Sequence, residues 1–159
     1  MVIYLLLLIA SYLFMEFVAW FSHKYIMHGF LWKWHADHHR KDHLTSRPLQ
    51  TEDKKFEKND LFFIVFALPG IILMIVGITT FNLAFIFMST GITLYGLTYF
   101  LIHDVIIHRR INILNNIAER NRYLKAMIKA HMAHHHPKNK EDFNNFGLLV
   151  FHPRYFKEN

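Results

Sequence analysis

Ten of the 13 histidines in this 159-residue chain follow one spacing scheme written twice. His23 and His28 stand five apart and precede a His-x-x-His-His run at His35, His38 and His39. Eighty residues on, His103 and His108 repeat the pair, and His131, His134 and His135 repeat the run. Imidazole is the commonest side-chain metal ligand and suits iron, zinc, copper and nickel. Ten rings exceed what one first-row ion can hold, so the count predicts two ions.

The two spacings make different demands on the backbone. His-x-x-His-His puts rings at i, i+3 and i+4 on one helical face, so a short helix can offer two or three ligands inward. A spacing of five turns the side chain by about 140° on a regular helix. Both members of such a pair reach one site only where the helix ends, bends or carries a π-bulge; otherwise they face different ions. Ligands converging from four helical segments follow the logic of four-helix di-iron sites, with histidine replacing carboxylate. A lone histidine on an apolar face is ordinarily a hydrogen-bonded core residue, and a single His-x-x-His-His run fits a zinc site or a charged patch as well. The same two motifs, twice and in the same order, form a far more specific signal.

Outside the ten, Asp104 beside His103 and Asp37 within the first run are candidates to accept the second ring N–H of a metal-bound imidazole. Glu16, Trp20 and His23 share a helical face at i, i+4, i+7, so Glu16 either accepts a hydrogen bond below the site or pairs with a polar group on another helix. His136 is the best candidate for an extra ligand. His43 and His152 read as surface or supporting residues.

These side chains need elements to carry them, and hydropathy supplies the elements. Residues 61–102 contain no Asp, Glu, Lys or Arg, and residues 1–22 contain Glu16 alone. A bilayer core needs about 20 apolar residues as a helix, which predicts spans near 2–22, 61–79 and 83–102, the last two parted at Thr79-Thr80-Phe81-Asn82. The first span lacks the basic start and cleavage site of a removable leader and is read as a mature helix. Gly29 marks a helix stop, residues 30–43 a short helix or interfacial segment, and residues 44–60 a connector. Asn59-Asp60 has the form of an N-cap for the second span, which Pro69 and Gly70 would kink. The third span is expected to run on through His108. From Glu119 to His136 the pattern is an amphipathic helix, with Leu124, Met127, Ile128 and the second run on one face and Arg122, Lys125 and Lys129 opposite. Pro137 ends it, and residues 138–159 form a covering segment near the site.

The expected fold is thus all-α: a single-domain polytopic membrane helical bundle (residues 1–159) of about three to four spans with a histidine-rich helical cap. All 18 Lys and Arg lie in 24–58 or 109–157. Three crossings put both stretches, and both histidine clusters, on one side, which the positive-inside rule makes cytoplasmic. The net charge of +6 is therefore a topology signal, with no basic soluble module for nucleic acid. The absence of cysteine excludes disulfides, cysteine-ligated iron–sulfur clusters and thiolate-bound haem. No glycine-rich nucleotide-binding fingerprint is present, so electrons for redox chemistry must come from another protein. A metal transporter would need polar ligands along its spans; residues 61–102 hold neither charge nor histidine.

Four segments together, HKYIMHG (23–29), WHADHH (34–39), YGLTYFLIHDVIIHRR (95–110) and AHMAHHHP (130–137), with FGLL (146–149) adding to them, resemble the membrane fatty acid hydroxylase superfamily. Within it, the chain is most similar to the bacterial β-carotene 3-hydroxylase branch. NDLFFIVFA (59–67) adds to a likeness that covers nearly the whole chain. The five-residue spacing and short length favour this branch over sterol and sphingolipid hydroxylases. A longer connector at 44–55 and the additional His136 depart from the pattern without touching the ten histidines.

The resemblance implies a non-haem di-iron monooxygenase of a bacterial inner membrane, with the ten histidines holding two iron ions. It would use O2 to hydroxylate C3 of each β-ionone ring, taking β-carotene through β-cryptoxanthin to zeaxanthin. Ferredoxin or a similar donor would supply electrons. The alternatives under the same metal box are a fatty-acyl or sterol hydroxylase, a desaturase or a carotenoid ketolase.

Overall fold

The computed structural model describes residues 1–42, 58–110, 115–137 and 144–157. These residues form helices, turns and extended connections, with no strand among them. In chain order the helices are α1 (Val2–Phe21), α2 (Trp32–Asp42), α3 (Phe62–Thr79), α4 (Leu83–Tyr99), α5 (Asn115–Arg120) and α6 (Arg122–His135). Two π-helical segments, Ser22–Phe30 and Phe100–Ile107, prolong α1 and α4. Short 3-10 turns stand at Lys58–Leu61 and Pro153–Phe156. His43 and most of the expected 44–60 connector lie outside the described residues.

Three stretches are long and apolar enough to cross a membrane: Val2–Phe30, Lys58–Thr79 and Leu83–Ile107. Each pairs an expected span with the polar or π-helical turn beside it. The break between the second and third falls where expected. Thr79 ends α3, Phe81 takes a left-handed φ of 54°, and the Asn82 side chain caps α4 by accepting from the Ala84 and Phe85 N–H groups. The expected N-cap of α3 is absent in that form. Lys58–Leu61 forms a 3-10 turn, α3 begins after Leu61 without a side-chain cap, and Asn59 is drawn to a histidine instead. α3 runs on as helix through Pro69.

α4 packs against both α1 and α3. In lipid, helices gain little from burying apolar surface and associate through close backbone approach at small residues. Gly91 serves that purpose: a Cβ there would stand 2.1 Å from Ser11 Oγ and 2.3 Å from the Leu8 carbonyl oxygen. Ser89 is fully buried, and Met15, Ala19 and Tyr95 form the core between α1 and α4. Leu6, Leu13 and Phe14 of α1 and Phe63, Ile71 and Ile75 of α3 face outward, as lipid-contacting surface should.

Both π segments, α2 and α6 meet at one end of this bundle. The expected single helix from Glu119 to His136 is divided. Asn121 leaves the helical conformation and accepts from the Tyr123 and Leu124 N–H groups, starting α6 afresh. The polar face is as expected, with Arg122, Lys125 and Lys129 exposed.

Candidate metal centre

The five-residue pairs are reconciled with a common site by π-helix. Hydrogen bonding from i+5 back to i widens the turn, as in the 3.0 Å bond from the His108 N–H to the His103 carbonyl, and brings rings five apart onto one side. His23 and His28 stand in the first π segment, with ring centroids 5.1 Å apart; His103 and His108 stand in the second, 4.6 Å apart. Gly29 then breaks the helix with non-helical φ/ψ (−95°, −123°), and the chain turns into α2, which carries His35, His38 and His39. Pair members face one site rather than two.

Nine of the ten expected histidines gather into two neighbouring sets. His23, His28, His35, His39 and His134 can each turn one ring nitrogen into a space where all five lie within 4.8 Å of one another, and His38, His103, His108 and His131 do the same in a second. His135, fully buried, lies between the sets. It stacks on His39 at 4.3 Å and sits 4.5, 4.8 and 5.0 Å from the rings of His131, His38 and His108. Each His-x-x-His-His run therefore serves both sets. His38 leaves its neighbours for the second, and His134 leaves His131 for the first.

Hydrogen bonds on the far side of the first set decide its chemistry. His23 Nδ1–H donates to the Phe146 carbonyl at 2.9 Å, His134 Nδ1–H to the Asn144 carbonyl at 2.7 Å, and His35 Nδ1–H to Asn59 Oδ1 at 2.6 Å. A neutral imidazole carries one N–H, so in these three rings Nε2 is a bare lone pair. Yet the Nε2 atoms face each other: His23 to His35 at 3.1 Å, His28 to His134 at 3.0 Å, and His39 to His28 and His35 at 3.2 and 3.1 Å. Between His23 and His35 neither nitrogen has a proton to give. Protonation is opposed as well, because burial pushes His35 and His134 well below the ordinary histidine range, reinforced by the neighbouring rings. Converging lone pairs without protons are the donor arrangement that suits a cation.

The second set has the same character. His108 Nε2 faces His131 Nε2 at 3.1 Å, and burial first, then adjacent rings, lowers His38 and His131. Its outer partner is a charge: His103 Nδ1 lies 3.4 Å from Asp104 Oδ2, and Asp104 is held by Arg110 at 3.3 Å, which reaches Asp60 at 2.8 Å. Tyr99 stacks on His103 with centroids 4.8 Å apart.

The remaining expected residues fall away from the rings. The Asp37 carboxylate accepts from the backbone N–H groups of His38 and Lys58, tying α2 to the turn before α3. Glu16 pairs with another helix, accepting from Tyr95 Oη at 2.7 Å, and also receives the backbone of residues 148–150. His136 is exposed at the end of α6, outside both sets, with Nδ1–H directed to the Met132 carbonyl. His152 accepts from the Arg154 N–H and caps the last 3-10 turn. Of the expected covering segment 138–159, residues 144–150 lie against the first set through the Phe146 and Asn144 carbonyls, whereas 138–143 and 158–159 lie outside the described residues.

Beside the second set, an apolar cavity of about 520 Å³ lies between α3 and α4, lined by Phe62, Phe66, Tyr95, Leu97 and Phe100 and reaching His103. Asn59, Asp60, Asp104 and Arg110 form its polar part.

The profile of the family described as fatty acid hydroxylase matches residues 8–157. Among curated relatives, a β-carotene hydroxylase of Pseudescherichia vulneris is 40% identical over 144 residues, covering 91% of this chain and 74% of its own. One of Pantoea ananas is 39% identical over 140 residues, covering 87% and 72%. One of Paracoccus sp. (strain PC1) is 34% identical over 149 residues, covering 93% and 84%. No solved structure matches the chain.

Proposed function

This chain belongs to the fatty acid hydroxylase family, and we propose that it is a β-carotene 3-hydroxylase, a non-haem di-iron monooxygenase that converts β-carotene through β-cryptoxanthin to zeaxanthin. The observation that carries the reading is the facing of proton-free Nε2 atoms in the first set, beside a second histidine set that borders an apolar cavity. One iron would be held by His23, His28, His35, His39 and His134, the other by His38, His103, His108 and His131, with His135 between them. Bound iron supplies the activation of O2 and the oxidising power to attack an unactivated C–H bond. Each hydroxylation takes one O2, two electrons and two protons, placing one oxygen atom on C3 and releasing the other as water. The electrons come from ferredoxin or a similar donor, since the chain has no redox cofactor motif of its own.

The chain's residues bind and position the substrate. A carotenoid partitions into the bilayer, and the aromatic walls from Phe62, Phe66 and Phe100 receive a hydrocarbon ring without stranding polar groups. Tyr99, stacked on His103, sets the ring's approach to the second set. The Asp60–Arg110–Asp104 pairs close the polar part and keep His103 oriented. By the positive-inside rule the basic stretches favour the cytoplasmic side for the site's face, and the bacterial relatives favour a bacterial cell membrane.

Expression in cells that make β-carotene tests the reading. Chromatography should reveal β-cryptoxanthin and zeaxanthin with the intact chain, and at least 100-fold less of both with His35→Ala or His134→Ala. Keto products, or hydroxylated fatty acids with unchanged β-carotene, would defeat it.

A further inference from the structure

We propose that Glu16 is a positioning residue for the first histidine set, acting through residues 144–150 rather than by touching a ring; this rests on the metal reading above. Glu16 is buried in α1, and its carboxylate accepts from two directions. Oε2 takes the Tyr95 hydroxyl at 2.7 Å. Oε1 takes three successive backbone N–H groups, those of Leu148, Leu149 and Val150, at 2.9, 2.8 and 3.0 Å. A carboxylate in a membrane helix is costly, and consecutive amides converging on one oxygen form an anion-binding concavity that offsets that cost.

The chain just before those amides holds the rings. The Phe146 carbonyl accepts from His23 and the Asn144 carbonyl from His134, and such outer bonds fix the tautomer and ring orientation of a metal-bound histidine. One side chain in α1 thus sets the register of a segment about 130 residues later, and that segment aims two rings of one set. Gly147 completes the seat: a Cβ there would stand 2.9 Å from both Glu16 Oε1 and the Val150 carbonyl oxygen. Leu148 packs independently with Ile107 and Met127, so the segment keeps an apolar anchor when the carboxylate is removed.

The test uses the full-length chain in detergent micelles, loaded with zinc and labelled with 15N-histidine. The intact chain should hold two zinc ions. Glu16→Ala should weaken one of them by roughly 10–100-fold and move the Nδ1–H resonances of His23 and His134, leaving those of the second set in place. Glu16→Gln, whose amide oxygen can still accept the three N–H groups, should restore most of the affinity. Gly147→Ala, with the carboxylate intact, should reproduce the one-sided loss and stands in if Glu16→Ala does not fold. The proposal falls if Glu16→Ala leaves both affinities and all resonances unchanged, if both sets weaken equally, or if both variants only aggregate. An intact chain holding fewer than two ions overturns the metal reading itself, and the positioning role with it.

Discussion

The two histidine sets come from one repeated motif, yet they are supported differently. In the first, three rings donate to neutral oxygens: two backbone carbonyls and an amide, reached across 123, 10 and 24 residues. In the second, His103 faces a carboxylate from the next residue, within a chain of ion pairs through Arg110 to Asp60. The first lies under the 144–150 segment; the second borders the apolar cavity. A sequence repeat therefore does not impose equal sites. A charged outer partner makes an imidazole a more basic ligand than a carbonyl does, so the set nearer the cavity has the stronger donor.

The severest way to break the comparison is to remove one ring from each set. His28→Ala and His131→Ala should each lower hydroxylated product at least 100-fold. Each should cost a single ion, measured by metal analysis, leaving the other set filled. Loss of both ions from either variant would show one cooperative centre rather than two supported separately.

Acid should act on both sets alike. His35 and His134 in the first, and His38 and His131 in the second, are held by burial below the ordinary value of about 6.5. The unfolded chain therefore takes up protons first, and their contribution to stability is complete above about pH 6.5. It declines as pH falls through that value toward the depressed folded ones, by at most about 1.4 kcal/mol per ring for each pH unit. The metal-free chain should melt at a lower temperature at pH 5.5 than at 7.5. An unchanged melting temperature would mean that these rings are not buried as neutral groups.

Asp104→Asn sharpens the contrast at smaller cost. It keeps an acceptor beside His103 but removes the charge, and should weaken the second set's ion by roughly 10–100-fold while sparing the first. Equal weakening of both would show the charge acting on the pair as a whole.

How much of this was legible in the sequence follows from how local each signal is. The spans and the break at Thr79–Asn82 come from neighbouring residues and are present, as is one of the two alternatives for the five-spaced histidines, a distorted helix rather than rings facing different ions. Sequence puts each run on one helical face, and the exchange of His38 and His134 between sets emerges only with the fold, where helical rotation accounts for it. At about 100° per residue, i+4 falls about 40° from i, whereas i+3 falls about 60° the other way. Glu16 offered two readings, and its pairing with Tyr95 on α4 follows one of them. Asn59 had the form of a cap, and only the tertiary approach of α2 turned its amide toward His35. The carbonyls of Phe146 and Asn144 could not be read at all, since a backbone oxygen carries no residue identity.

The mildest expected effect concerns His136, which sequence alone marks as the best extra ligand. A third consecutive histidine continues the run, but position i+5 on a regular helix lies about 140° from His131. α6 has no π-helical turn to recover that angle; it ends at His135, and His136 takes φ −117° and ψ 59° with its ring exposed. Its Nδ1–H is directed to the Met132 carbonyl, which steadies the end of the helix. His136→Ala should therefore leave metal content and product unchanged and lower stability by no more than about 1 kcal/mol, the usual worth of one such hydrogen bond. A lost ion in that variant would mean that the end of α6 opens into a π-helical turn when loaded, bringing His136 in as a tenth coordinating ring besides His135.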